Sequence, residues 1–465
     1  RSLAALVQFF LPLGKKVGKG IVESIDVGLR NPSISFIICM TMVILLRLMF
    51  PPSPIQKIAL MFGLAALFLI VFGMLLRRAF PTSYHLLLAI TVVSLLVKII
   101  LIPTIFPFIS SPDERAVYHT EAIAILSAVQ SGTPYTAILL GYSPYSALLA
   151  SLYAVGGAHM EIGKLGNALL LMMTAIVIFA LARQIFDERV AIGAFLFVHF
   201  EPQLTIWSVQ LLRESLIILL IVAALYFLVQ FVKHRAVTFG SATMFAAIIW
   251  LLYWIRPHIA FILLATAAAT IMVFFFWQQI SRTRRFAFAL LLIAILSIFI
   301  VSQGLWNDPT LHIQANRYFS LEAAQGARNW ISMVPGTLYE PDARVDTISG
   351  ALQLLPKSAL VVLLAPYPTH ITDAKWMIYY GINVLAYPVL ALAIVGVFLG
   401  FRHQLRLCFP LFVFVILALG VYALSDPSIG GIIRHRMQIW IVLLLFAAQG
   451  MMHISRNGTV WENRT

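Results

Sequence analysis

Ser111-Pro112-Asp113-Glu114-Arg115-Ala116-Val117-Tyr118-His119 sets two adjacent carboxylates directly behind a long apolar run, Leu86 to Phe108. A carboxylate at the exit of a membrane helix can take a proton from a hydroxyl nucleophile, and a second one beside it can substitute for it or orient it. Asp113 is therefore the candidate general base and Glu114 the alternate base or orienting group. Tyr118 and His119 are candidate substrate contacts. The plainer reading is that Pro112-Asp113 only starts a helix, since Ser, Pro and Asp are what a helix N-terminus prefers. One residue can do both.

A reaction that leaves a phosphate behind also needs cations at the growing charge. Three sets of residues beside apolar runs qualify: Arg213 with Glu214, Arg256 and His258 around Pro257, and Arg434-His435-Arg436 before the last run. Ionisable groups at membrane depth are costly and tend to be functional. On a helix Arg434 and Arg436 would face apart, but the Pro427 and Gly430-Gly431 before them need not be helical. There backbone amides can approach an anion while Arg supplies bidentate contacts. The alternatives are an internal Arg213–Glu214 ion pair, and Arg434 and Arg436 reaching to lipid headgroups. His312 and His370 make no metal-ligand spacing, and no Walker or dinucleotide motif is present. No cofactor is required, although a divalent ion bridging Asp113 or Glu114 to a phosphate stays open. Cys39 and Cys408 fall inside apolar runs and read as inert core residues.

The elements that must position these groups are membrane helices. The 465 residues are 61% hydrophobic and 11% charged, where water-soluble domains are nearer a quarter charged. Apolar runs long enough to cross a bilayer as helix fall near 34–50, 56–76, 85–108, 164–183, 188–204, 211–232, 240–256, 259–277, 286–303, 378–400, 406–425 and 436–453. These runs are continuous, without the alternation a barrel strand needs. The fold class is all-α polytopic integral membrane protein, with about twelve transmembrane helices.

The formal net charge of +14 is unevenly placed. Lys15, Lys16, Lys19, Arg30, Arg77, Arg78, Arg183, Arg189, Lys233, Arg235, Arg282, Arg284, Arg285, Arg402 and Arg406 all fall in loops of one parity, which the positive-inside rule makes cytoplasmic together with both termini. The acidic pair then faces the outside of what reads as a bacterial inner membrane. Scattered cations of this kind exclude a nucleic-acid surface. In domain terms, residues 1–30 form an amphipathic cytoplasmic-surface segment, 31–84 carry two N-terminal transmembrane helices, and 85–304 form a core with an acidic outer loop at 109–160. An outer loop at 305–357, C-terminal helices at 358–455 and a cytoplasmic tail at 456–465 follow.

Within the acidic loop, Tyr118, Ala122, Ile125, Leu126 and Val129 recur at helical spacing, which predicts a surface helix ended by Ser131-Gly132-Thr133-Pro134. Tyr142 to Gly156 predicts a second juxtamembrane helix. The outer stretch from Gln303 to Lys357 mixes Trp306, Asp308, His312, Arg317, Tyr318, Glu322, Arg328, Trp330, Glu340, Asp342 and Asp346, as suits a sugar or a partner surface or an ordinary solvated loop.

The order of membrane helix, acidic pair followed by Tyr, surface helix and "YSPY…LY…G" segment resembles the phospholipid carrier-dependent glycosyltransferases of the GT-C superfold, the class of protein O-mannosyltransferases and the aminoarabinose transferase of lipid A. The stretch 179–227, with its basic turn, outer Pro and Arg-acid pair, is similar to their helix hairpin. The likeness covers roughly 85–300. Two spans precede the acidic loop where the family has one, and a sizeable soluble C-terminal domain is absent. The resemblance implies transfer of a sugar from a polyprenyl-phosphate carrier to a glycan, lipid or protein acceptor on the outer face, with Asp113 as base. The alternatives are a surface-polysaccharide polymerase or ligase, and a noncatalytic membrane subunit or transporter that kept the fold.

Overall fold

A computed structural model of the chain describes residues 54–109, 111, 113–133, 141–235, 238–277, 321–333 and 337–462. The expected segment 1–30, the runs 34–50 and 286–303, Cys39, and Trp306 to Tyr318 of the outer loop lie outside these residues. Every regular element described is helical apart from one isolated antiparallel bridge, Leu338 to Ser428.

The helices are α1 Pro54–Ala79, α2 Tyr84–Ile109, a π turn Glu114–His119, α3 Thr120–Gln130, α4 Pro144–Gly156, α5 Met160–Ile185, α6 Glu188–Phe200, α7 Pro202–Ser208 and α8 Glu214–His234. There follow α9 Phe239–Ile255, α10 Pro257–Trp277, α11 Leu321–Ser332, α12 Ile348–Leu364, α13 Ala374–Ser425 and α14 Ile429–Glu462. Among the described residues seven helices are long and apolar enough to cross a membrane, or eight if the bent pair α6–α7 counts as one span. The protein is an all-α polytopic membrane protein.

The burial pattern of α2 has the physics of lipid as solvent written into it. Thr91, Ser94 and Lys98, at helical spacing, are 0% exposed, while Val93, Leu96 and Ile100 on the same helix are exposed. Polar groups turn inward because hydrocarbon offers them no hydrogen bonds. Lys98 Nζ donates to Ser94 Oγ (2.7 Å) and to the His199 carbonyl (2.9 Å), which Ser94 Oγ also reaches (3.0 Å). That carbonyl lies in the last turn of α6, just before Pro202 interrupts the helix, and the pair bends by 52°. The run 188–204 is thus a broken span, with polar side chains of α2 covering its break.

Two compact units divide the chain. The first takes the described residues up to Phe179, then Glu188–Leu219 and the end of α14 from Met451; the second takes Ala180–Asp187 and Leu220–Gly450. In the first, α3 packs on α4, and α2 packs on α1 and α6. In the second, α13 packs on α10 and α12. Runs 378–400 and 406–425 join as α13, with a non-helical residue at Gln404 (φ −135°, ψ 27°). The intervening Arg402–Arg406 stretch holds neither Gly nor Pro, so the helix has nothing to end it and kinks instead. Arg406 Nη2 donates to the Val232 carbonyl (2.9 Å) in the last turn of α8.

Candidate functional site

In the first unit the acidic pair is split between two environments. Ser111 and Glu114 hold half of a capping box, the Ser111 N–H donating to Glu114 Oε1 at 2.8 Å. Asp113 sits inside this turn with helical dihedrals (φ −58°, ψ −29°) and makes no side-chain cap bond. The cap is therefore supplied by Glu114 reaching back, and Asp113 beside it is half-buried. The six residues from Glu114 to His119 then wind as a π turn, a local widening that is rare and frequent at functional positions.

Glu114 is 1% exposed. Its Oε2 lies 3.1 Å from Lys164 Nζ and accepts the Leu211 N–H at 3.0 Å. Leu211 belongs to the non-helical stretch between α7 and α8. Asn167 Nδ2 holds the same stretch from the other side, donating to the carbonyls of Gln210 (2.6 Å) and Leu212 (2.7 Å). Irregular backbone at membrane depth is tolerated only where protein groups satisfy it. Glu114, Lys164 and Asn167 do so here, and they fix Arg213 and Glu214 at the start of α8. Glu214 is 1% exposed and Arg213 half-buried.

Tyr118 is buried against Tyr145, edge to face at 5.1 Å. Asn167 Nδ2 also donates to the Tyr145 hydroxyl (3.0 Å), and burial pushes that phenol well above its usual range. His119 Nδ1 is 2.8 Å from the Tyr153 hydroxyl. Burial holds His119 below its ordinary proton affinity; Arg115 and His159 add to this and Glu161 opposes it.

The remaining candidates meet in the second unit. Arg434, His435 and Arg436 lie in the first turns of α14, which begins at Ile429 and includes both glycines, so the segment is helical and not an open anion nest. Two residues apart on a helix, the arginines diverge by roughly 200°. Arg436, 1% exposed, donates through Nη1 to the carbonyls of Ala365 (2.5 Å) and Leu363 (3.2 Å), beyond and within the last turn of α12. It secures a helix end and does not snorkel. Arg256 and Arg434 are within electrostatic reach of His435. His258 Nε2 lies 3.4 Å from the Tyr422 hydroxyl, which donates to Gln438 Oε1 at 2.5 Å.

Sequence reasoning passed over Lys164, Asn167 and Asp426. Lys164 and Asn167 stand out only as polar positions at the head of an apolar run. Asp426 carried a signal, as an acid three residues before the helix that bears the basic cluster. Ser111-x-x-Glu114 was likewise a readable capping box. Arg328, 0% exposed on α11, donates to the carbonyls of Tyr339 and Glu340. No family model, no curated protein and no solved structure matches this chain.

Proposed function

We propose that the protein is a GT-C-like membrane glycosyltransferase of about twelve transmembrane helices, moving a sugar from a polyprenyl-phosphate carrier to a hydroxyl acceptor on the outer face. The observation that carries this reading is the hydrogen bond from Leu211 N–H to Glu114, spanning 97 residues. It ties the turn holding Asp113 to the stretch that ends in Arg213, so that a carboxylate and a guanidinium belong to one end of one unit. In the transfer the acceptor O–H proton passes to Asp113 as the new C1–O bond forms. The bond from C1 to the phosphate oxygen breaks, and the phosphate leaves with the electron pair. Its charge grows as it leaves, so a cation such as Arg213 binds the transition state better than the donor. Glu114, saturated by backbone and Lys164, serves to position this turn.

The test is sugar transfer by the purified full chain from a polyprenyl-phosphate donor. Asp113→Asn should insert and fold as the wild type does while product formation falls by about two or more powers of ten. Equal rates for variant and wild type would remove Asp113 from the chemistry. Topology is checked separately: a reporter after Thr465 should read cytoplasmic and one near residue 325 external.

A further inference from the structure

Two helices of the second unit bring cations together without an acid. In the last turn of α8, Lys233 Nζ donates to the Gln184 carbonyl (2.9 Å) at the end of α5, and Phe231 packs on Phe274 of α10, ring centroids 5.4 Å apart. From α13, Arg406 Nη2 donates to the Val232 carbonyl (2.9 Å), and its guanidinium lies over the Phe274 ring at 5.1 Å. Arg235, just past the end of α8, stands within electrostatic reach of Arg406. Arg402 lies one turn before Arg406, across the kink at Gln404. Lys233, Arg235, Arg402 and Arg406 are all exposed, and among the described residues none is within salt-bridge distance of a carboxylate. Their own helices have none to offer: the sequence holds neither Asp nor Glu from 215 to 307 or from 374 to 425.

Arg235 also has a left-handed backbone, φ 54°, in a place past a helix end that glycine fills most easily. An arginine there works against its own backbone, and its charge repels Arg406. The basic bias of cytoplasmic loops calls for cations on this side of the membrane but not for their convergence. On α13, Ile394, Phe398 and Phe401 recur at helical spacing, are exposed, and lead to Arg402. An apolar stripe that ends in guanidinium groups matches an amphiphile with an anionic head. We propose that Arg235, Arg402 and Arg406 bind the phosphate headgroup of an anionic phospholipid, on the side that the positive-inside rule makes cytoplasmic, with its acyl chains along Ile394, Phe398 and Phe401. Basic residues clustered at the ends of membrane helices recognise such headgroups, and arginine does so with paired N–H bonds. Arg406 uses one N–H on Val232, which leaves the rest of its fork for the phosphate. A headgroup between the arginines replaces their repulsion with attraction.

The test measures binding of dioleoyl phosphatidylglycerol to the purified full chain in neutral detergent, by native mass spectrometry and by the rise in unfolding midpoint. Wild type should bind it about tenfold or more tightly than dioleoyl phosphatidylcholine. Arg402→Gln and Arg235→Gly should each raise the Kd about fivefold, as the loss of one interfacial cation implies. Arg344→Gln, which removes an exposed arginine between α11 and α12, should leave it unchanged. Arg235→Gly also takes a side chain off a left-handed residue, so its midpoint without lipid should equal or exceed that of wild type. Weaker lipid binding with an undiminished midpoint is a result that a purely structural Arg235 does not give. Should Arg235→Gly fail to fold, Arg402→Gln decides alone. Wild-type affinity in the variants that fold would overturn the site. An equal loss in Arg344→Gln would also overturn it, by reducing the attraction to net charge. Equal affinity for phosphatidylcholine, or the same midpoint shift with inorganic phosphate at the same concentration, would overturn the anionic lipid as partner. Sugar transfer enters none of these measurements, so its absence would count against the glycosyltransferase reading alone.

Discussion

Glu114 in the first unit and Asp426 in the second are both almost fully buried, at 1% and 3% exposure, and each faces a basic side chain about one hydrogen bond away. Glu114 spends its oxygens on Lys164 and on the N–H groups of Ser111 and Leu211. Asp426 accepts the Ser428 N–H and lies 2.9 Å from Nδ1 of the His435 imidazole. The difference lies in the partner: an ammonium has nothing left to do once it is neutralised, whereas an imidazole passes the effect of the carboxylate on to its second nitrogen. Buried acids of similar exposure can thus face partners of different chemistry, a fixed ammonium in one place and a titratable ring in another.

The largest effect should come from breaking the clamp. Removing one partner of a buried ion pair leaves an uncompensated charge and costs about 3–5 kcal/mol. Glu114→Gln and Lys164→Met should each lower the unfolding midpoint in detergent by an amount of that order, and the double variant should recover part of the loss. Asp113→Asn, one residue away, should lower the midpoint less than Glu114→Gln does, since Asp113 is half-buried where Glu114 is 1% exposed. If Asp113→Asn were as destabilising as Glu114→Gln, the division of labour between the two carboxylates would collapse, and any loss of activity in Asp113→Asn would report folding.

Arg436 sharpens the contrast on the other side. Its guanidinium is committed to the carbonyls that close α12, so Arg436→Gln should cost about 1.5–3 kcal/mol, the range for bonds to a charged group. Arg434→Gln should change stability less, read as the unfolding midpoint in detergent, because the two side chains leave the helix on different faces. A stability loss for Arg434→Gln equal to that for Arg436→Gln would mean that both arginines are structural.

What could be read in the sequence follows from which interactions are local. Apolar runs declare helices because hydrophobic length is a property of neighbours, and α1, α2, α5, α8 and α10 lie where those runs predict. The surface helix behind Asp113 was visible in Tyr118, Ala122 and Ile125, all buried, while Val129 at its end faces outward. Pro202 was present in the run 188–204, but a proline inside an apolar stretch does not say whether the helix bends or breaks. The clamp could not be foreseen: Glu114 meets Leu211 through a backbone N–H, which has no signature in the identity of residue 211. Arg434-His435-Arg436 drew notice for its charge. Its three side chains nevertheless take different partners because α14 rotates them apart.

His119 gives the smallest and most specific expectation. It sits on the π turn with Nδ1 against the Tyr153 hydroxyl, and burial, with Arg115 and His159, depresses its proton affinity while Glu161 partly restores it. The folded chain therefore binds fewer protons at this site than the unfolded chain, whose histidine titrates near the ordinary ~6.5. Stability from this source is complete above that value and is lost as the pH falls through it toward the folded-state value, below which both states carry the proton and the loss stops. Unfolding midpoints of wild type and His119→Gln, measured in detergent from about pH 7.5 to about pH 5 around that transition, should diverge on the acid side, the wild type falling more steeply. Other groups titrate over the same interval, but they are common to both proteins and cancel in the difference. Parallel curves would mean that the turn beside Asp113 is indifferent to the charge of His119, and its contact with Tyr153 would then be one of packing alone.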